Sequence, residues 1–543
     1  MKETKAQRIE RIKREGNPWD GFSEIERFAR EGYASIPAEW FDVGFRWWGV
    51  YSQGDGNGKF GGSTPFFMVR IRVPNGILTA DQAHVIADLA ARHGRGVADL
   101  TVRENIQLHW VPLAGLPEVF RALWKVGINP LGACGDVTRN ITGCPLAGVD
   151  ADEVFDASPL VREATEFLAG NAEFYNLPRK YKLTITGCAV WCSYPETNDV
   201  GLTATRAPDG EIGFSLRVGG GLSTEPHLAV RLPVFVRRAQ VIPVLQGVSE
   251  IFRDADGLRQ NRAKARLKFL FLEHGWTAER FLEELERRIG FGLDSAVPEA
   301  VPQDVYRDHV GLHPQKQHGM SYAGFVILSG RTSAAELARV ADLASAFGDG
   351  SVRVTPMQNL VITGIHQSRI NDLRRDARAT GLRLQASPFW RGAIACTGTE
   401  FCKLALSETK AFTRHLVEAL EQRLPEFSGD LKISATGCPN ACGQHWIADI
   451  GLQGSKAKVD GRQVDAYDVL LGGGLGDGAG FARRVGFRTV AAEVPAALER
   501  LLATYIEHRL GAETPKQFFA RHSDEELRSV LAGAPVTILA EAP

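Results

Sequence analysis

The feature that most constrains this chain is that it repeats itself. DLTVRENIQLHWV (99–111) is echoed by RVTPMQNLVITGI (353–365), and both alternate as half-buried strands do. Ahead of them lie further strands, FFMVRIRV (66–73) and YAGFVILSG (322–330). Each is followed by an amphipathic helix, LTADQAHVIADLAARHG or TSAAELARVADLASAFG, with a shared ADLA core and a closing Gly. Downstream, KLTITGCAVWCSYPETNDVGLTA (182–204) matches KISATGCPNACGQHWIADIGLQG (432–454), and RVGGGLS (217–223) matches LLGGGLG (470–476). The spacing is nearly constant: 254 positions from Asn105 to Asn359, 250 from Cys188 to Cys438, 253 from Gly219 to Gly472. Chance similarity would not hold register over four segments. The chain is therefore expected to fold as two similar α+β halves related by an approximate two-fold axis. Such an interface leaves a cleft in which both halves can grip one large cofactor.

A length of 543 residues exceeds one hydrophobic core. With 44% hydrophobic and 23% charged residues and a net charge of −1, nothing marks a nucleic-acid or membrane binder. No apolar run is long enough to span a bilayer. The N-terminal MKETKAQRIERIKREG has neither a signal-peptide core nor the acid-poor composition of a transit peptide. A cytoplasmic protein with reduced thiols is expected.

Eight cysteines are present, and four fall in one pattern: Cys396 and Cys402 in ACTGTEFCKLA, then Cys438 and Cys442 in TGCPNACGQ. Four thiolates from two loops can hold a metal centre, and the small residues around them let backbone N–H groups approach cluster sulfides. An iron–sulfur cluster, structural zinc and inert thiols are all compatible with C-x5-C and C-x3-C, although zinc knuckles usually pair shorter spacings.

These residues, together with RWWGVY (46–51), FFMVRIRVPNG, NIQLHW, RNITGCPLAG, LPRKYK, NDVGL, GGGLS and NRAKARLKF, resemble the sirohaem-dependent sulfite and nitrite reductase family over roughly 40–530. The resemblance implies ferredoxin-like half-domains over 61–130 and 319–390, behind an N-terminal extension over 1–60. It also implies cofactor-binding domains over 131–294 and 391–543 and a joining stretch over 295–318. Further, it implies a [4Fe–4S] cluster on Cys396, Cys402, Cys438 and Cys442, with Cys442 also ligating the sirohaem iron. Arg70, Arg139, Lys180 and Lys182 match the family's substrate-facing cations, which clamp an oxyanion and relay protons.

Each pocket residue has a plainer alternative. Arg70 and Arg72 share one strand face, as do Lys180 and Lys182, and a solvated face accounts for either pair. Arg103 and Gln107 match sirohaem contacts, but the family commonly has Gln where Glu104 stands, and an acid beside a polyanion needs a cationic partner. In the basic run of NRAKARLKF, Arg262 and Lys268 are expected at the macrocycle, although such runs are usually solvated. The glycine runs at 219–221 and 472–474 have no phosphate-loop pattern and suggest close backbone approach.

After LPR, sulfite-reducing members resemble K-x-K and plant-type nitrite reductases K-x-N; Lys180-Tyr181-Lys182 follows the first. Sulfite is therefore the expected substrate, with nitrite the alternative. A precorrin-modifying oxygenase on the same scaffold and a non-enzymatic metal-binding protein are more distant readings. No dinucleotide fingerprint follows a strand, so electrons must come from a separate donor, ferredoxin or a flavoprotein, to what is expected to be a monomer. Cys188 and Cys192 repeat the C-x3-C of Cys438 and Cys442, and Cys144 lies near where Cys402 would fall, while Cys134 is out of register. They read as a relic of duplication packed as small hydrophobes. Tyr51 and Cys134 match positions that are covalently linked in some members of the family.

Overall fold

The computed structural model describes residues 3–54 and 65–534, so the expected boundary between 60 and 61 lies outside the described residues. Four five-stranded sheets carry the chain. In the first, Val50–Gln53, Phe66–Ile71, Ile106–Val111 and Val97–Leu100 lie side by side; in the second, Gly311–Pro314, Met320–Phe325, Leu360–His366 and Ser351–Val354 do the same. The fifth strand of each comes from the opposite half. Arg331–Ser333 pairs antiparallel with Val97–Leu100, and Ile77–Thr79 pairs with Ser351–Val354. This reciprocal exchange supplies each sheet edge with hydrogen-bond partners that it could not obtain from its own half.

The helix after each exchanged strand, Ala80–His93 or Ala334–Phe347, opens with a capping box, Thr79 with Gln82 and Ser333 with Glu336, and is followed by Gly94 or Gly348. The two helices pack on each other through faces rich in alanine, which bring the axes close. Ile86, Leu89, Leu337 and Val340 are fully buried there, each worth about 1.5–3 kcal/mol of burial.

The duplication extends to backbone conformation. Asn75 and Ser329, Glu104 and Gln358, Trp191 and Ala441, and Tyr194 and Gln444 all have positive φ, between 54° and 65°. The members of each pair stand 250 or 254 positions apart. A non-glycine residue in the left-handed region costs energy, so retaining it in both halves shows that the same turn is required twice.

Two further sheets build the cofactor-binding halves, Leu183–Thr186 through Asp294–Ser295 and Ala393–Ala395 through Arg483–Val490. Residues 295–318 are more than a joining stretch. Gly311–Pro314 forms the edge strand of the second ferredoxin-like sheet, and Glu299 is buried against Arg217 at 2.6 Å. The N-terminal helix Lys5–Glu15 is likewise integral: Lys13 is 1% exposed, donating to the Leu177 carbonyl at 2.8 Å and pairing with Glu10 at 2.6 Å. Among the described residues no helix is long and apolar enough to cross a membrane.

Candidate active site and metal centre

The loop bearing Cys396 and Cys402 is seated across the halves. Phe401 stacks on His109 of the first half at 4.2 Å and meets Trp110 edge-on at 4.5 Å. Arg331 holds Glu400 at 2.8 Å and Asp99 at 2.8 and 3.0 Å, tying loop, exchanged strand and first sheet together. Burial would raise the Asp99 carboxyl, but Lys410, His109 and Arg331 outweigh it and hold the group far below its ordinary range. The parallel strands Ala393–Ala395 and Ile433–Thr436 bring the second pair of cysteines alongside, in TGCPNAC.

The Gly437 amide donates to Cys396 Sγ at 3.2 Å and the Asn440 amide group to Cys438 Sγ at 3.5 Å. Cys396 and Cys438 each feel the charge of Cys442, and Cys438 also that of Cys402. Yet no three of the four sulfurs lie within 4.8 Å of one another. A single tetrahedral ion needs tighter convergence than that; a cubane, with each thiolate on its own iron, needs the wider spread. The wider spread of the quartet is in the direction a [4Fe–4S] cluster requires. Of the eight cysteines only Cys442 is exposed.

Cations of the first half lie within electrostatic reach of Cys442. Arg70, on strand Phe66–Ile71, donates to Cys134 Sγ at 2.7 Å and lies 5.9 Å from the centre of the Tyr51 ring, so it touches both members of the Tyr51–Cys134 pair. Burial works against its charge, but Cys134, Tyr51 and Cys442 outweigh burial and raise its pKa. Lys180 and Lys182 flank the fully buried Tyr181 and therefore share the opposite, accessible face. Burial, with Arg266, Arg139 and Arg179, brings Lys180 down to about 7 against the pull of Cys442. Burial and the neighbouring Arg103, Lys180 and Arg266 push Lys182 well below the ordinary lysine range. Arg139 donates through Nε to the Gly135 carbonyl at 3.0 Å and takes part in the same cationic field.

Four other predicted residues have partners within the protein. Gln107 sits opposite Arg70 in the sheet register and, with its amide oxygen turned inward, accepts from Arg70 Nε at 3.1 Å and Nη2 at 2.6 Å. It holds the arginine. Arg103 is committed to Asn198 Oδ1 and the Asn140 carbonyl, both at 2.6 Å, leaving only Nε buried without a partner. Arg262 pairs with Asp136 at 2.8 Å, its Nη1 lying 3.8 Å from Glu10 without a hydrogen bond, and Lys268 donates to the carbonyls of Leu222 and Glu225. The cation of NRAKARLKF whose charge reaches Lys180, Lys182 and Arg103 is Arg266, held by Asp199 at 2.7 and 3.0 Å. Nothing in the local pattern distinguishes Arg266, because its partner lies 67 residues away.

Glu104 is fully buried with neither carboxyl oxygen hydrogen-bonded, and burial pushes its pKa well above the carboxylate range. Burial thus favours the uncharged carboxyl, which is close in shape to the expected Gln and would present no negative charge to an anionic ligand. Its folded pKa is raised, so stability is full below the unfolded value near about 4.3 and is lost as pH rises. Glu104→Gln should therefore match the native chain in acid and be the more stable of the two at alkaline pH. Thermal midpoints measured across pH test this; parallel curves for the two proteins would refute it.

Buried donors without partners mark where an anionic group fits: Arg46 Nε, Arg72 Nη1 and Arg103 Nε have none. Arg46 stacks at 5.4 Å on Tyr51, next to Arg70. Cations otherwise left unsatisfied under desolvation call for a polyanion such as sirohaem.

The comparisons agree with this geometry. The nitrite and sulphite reductase 4Fe-4S domain matches residues 134–292 and 387–535, and the nitrite/sulfite reductase ferredoxin-like half domain matches 61–126 and 313–380. An assimilatory ferredoxin-dependent nitrite reductase of Haloferax mediterranei is 37% identical, covering 91% of this chain and 88% of its own. A ferredoxin sulfite reductase of Mycobacterium tuberculosis is 36% identical, covering 96% and 95%. The solved structure of Mycobacterium tuberculosis NirA superposes with a TM-score of 0.90 at 35% identity, covering 96% of this chain and 97% of that one. Sirohaem and a [4Fe–4S] cluster are the cofactors. Duplicated halves, a four-cysteine group and cations that feel the charge of its exposed member accord with the matches to both family domains and to relatives over nearly the whole chain: this chain is an oxidoreductase of the nitrite and sulfite reductase family.

Proposed function

We propose that the enzyme reduces sulfite to sulfide with electrons delivered singly by ferredoxin, acting as a cytoplasmic monomer without nucleic-acid partners. The observation that carries this reading is the pair Lys180 and Lys182, two ammonium groups on one face beside Arg70, Arg139 and Cys442. Cys442 would ligate sirohaem, and the bound sirohaem and cluster would supply the redox centre that passes the donor's electrons to the oxyanion.

The chain's own residues bind and protonate. Arg70, kept straight by Gln107, and Arg139 stay charged and clamp oxygen. Reduction of sulfite to hydrosulfide consumes six electrons and seven protons and releases three waters. Lys180, brought down to about 7, can both give a proton and regain one from solvent, which arginine cannot do. The fully ionised substrate brings two negative charges into a desolvated wall, which favours the protonated form of both lysines.

Nitrite reduction is the second reading, supported by the Haloferax mediterranei relative at 37% identity. Lys182→Asn should shift the ratio of kcat/KM for sulfite over nitrite about tenfold toward nitrite, the scale one pocket contact can provide. The assay is steady-state turnover of each anion with reduced ferredoxin. An unchanged ratio removes the lysine pair as the basis for assigning sulfite.

A further inference from the structure

The first half contains a second sulfur cluster of its own. Cys144, Cys188 and Cys192 bring their Sγ atoms within 4.8 Å of one another, and all three side chains are 2% exposed. The sheet register shows what they are. Thr142 bridges Thr184 as Ile394 pairs with Ser434, so Cys144 stands where Cys396 stands in the second half. Cys144 is thus the counterpart of Cys396, not of Cys402 as the sequence spacing suggested. Cys188 and Cys192 mirror Cys438 and Cys442. Counting on from Cys144 by the same C-x5 step reaches Asp150, so three of four cluster positions keep sulfur and the fourth has become a carboxylate.

We propose that this first-half triad is a mononuclear site in which Cys144, Cys188 and Cys192 hold a thiophilic divalent ion of the zinc class. Sulfurs this close suit one ion, since Zn–S bonds of ~2.3 Å place tetrahedral ligands well under 4.8 Å apart. They are too close for a cubane. Leu146, Val149, Tyr322 and Val361 close around the sulfurs and keep the site dry, where soft metal–thiolate bonds hold best.

Charge is provided for as well. Arg307 Nη1 lies 4.0 Å from Cys188 Sγ, and the same guanidinium holds Asp150 at 2.5 and 3.0 Å, placing a cation against a tris-thiolate that stays negative after binding one divalent ion. A second observation points the same way. His309 is 2% exposed, neither ring nitrogen has a hydrogen-bond partner, and it feels the charge of Cys188. A dry, fully satisfied hydrophobic core would have no need of such a group. Binding would release the thiol protons to solvent and join the loop of residues 144–150 to that of 188–192.

Holoenzyme equilibrated with zinc ion and freed of excess by gel filtration should retain about one zinc per chain in addition to its iron. X-ray absorption should find three sulfur neighbours at ~2.3 Å. The double variant Cys188→Ser, Cys192→Ser should lose at least about tenfold in zinc content while its iron and visible spectrum stay those of the wild type. If the variant fails to fold, the stoichiometry and sulfur count of the wild type decide. Absence of retained zinc in the wild type, zinc unchanged in a folded double variant, or a disulfide among the three cysteines by mass spectrometry would overturn the assignment.

Discussion

Cys442→Ser is expected to abolish turnover, lowering kcat by at least about a thousandfold. Loss of one ligand of four would ordinarily weaken a cluster without eliminating it. Cys442 differs because it is the one exposed cysteine and its charge reaches both Arg70 and Lys180. It is the member of the quartet whose charge reaches the cations of the other half, so in its proposed role as the link to sirohaem its removal would break the electron path as well as a ligand bond. Cys438, 6% exposed and turned to Asn440, has no such second face. Cys438→Ser should therefore lose iron and labile sulfide in proportion to activity, whereas Cys442→Ser should lose activity beyond its loss of iron. Iron, sulfide and turnover measured on the same samples make the comparison. A Cys442→Ser protein whose turnover tracks its iron content would end the distinction.

Lys180→Met should cost about 10²–10³ in kcat, the range for removing a positioned proton donor. The pH profile carries the sharper expectation. The donor form is the protonated one, so kcat/KM is present below the pKa of Lys180 and falls on the alkaline side of about 7. A bound dianion stabilises the ammonium, so the corresponding limb in kcat should lie at higher pH than in kcat/KM. Lys180→Arg retains the charge but does not titrate in this range, and should flatten the limb at reduced kcat. An alkaline limb that survives both substitutions would assign the proton to another group. Stability runs the opposite way: with the folded pKa depressed below the unfolded value near about 10.4, the lysine penalty in the cofactor-free protein fades as pH rises through that interval.

Much of this protein is legible without coordinates. The constant spacing of the repeat implies duplicated halves, because sequence similarity kept in register over four segments reflects the same local hydrogen-bonding and packing demands met twice. That Lys180 and Lys182 share a face follows from their two-residue spacing in an extended segment. The C-x5-C and C-x3-C spacing identified the cysteine quartet as one group, but left zinc and inert thiols open.

Other features depend on partners that are distant in the chain. The exchange of Ile77–Thr79 and Arg331–Ser333 between sheets is invisible locally, since a three-residue strand carries too little pattern to name its neighbour. In NRAKARLKF four cations have nearly the same local setting; Asp136 draws Arg262 away, the Leu222 and Glu225 carbonyls take Lys268, and Asp199 sets Arg266 in the field of the lysine pair. Gln107 becomes a brace because Arg70 lies opposite it across two strands. Sequence alone determined the duplicated plan and the grouping of the quartet, set by repeat register and spacing, and the family resemblance singled out the lysine pair. Only the tertiary structure decided which cations remain available to an anion, that burial raises the pKa of Glu104, and that Cys144 stands in the place of Cys396, because burial and ion pairing are settled by groups that meet only when the chain is folded.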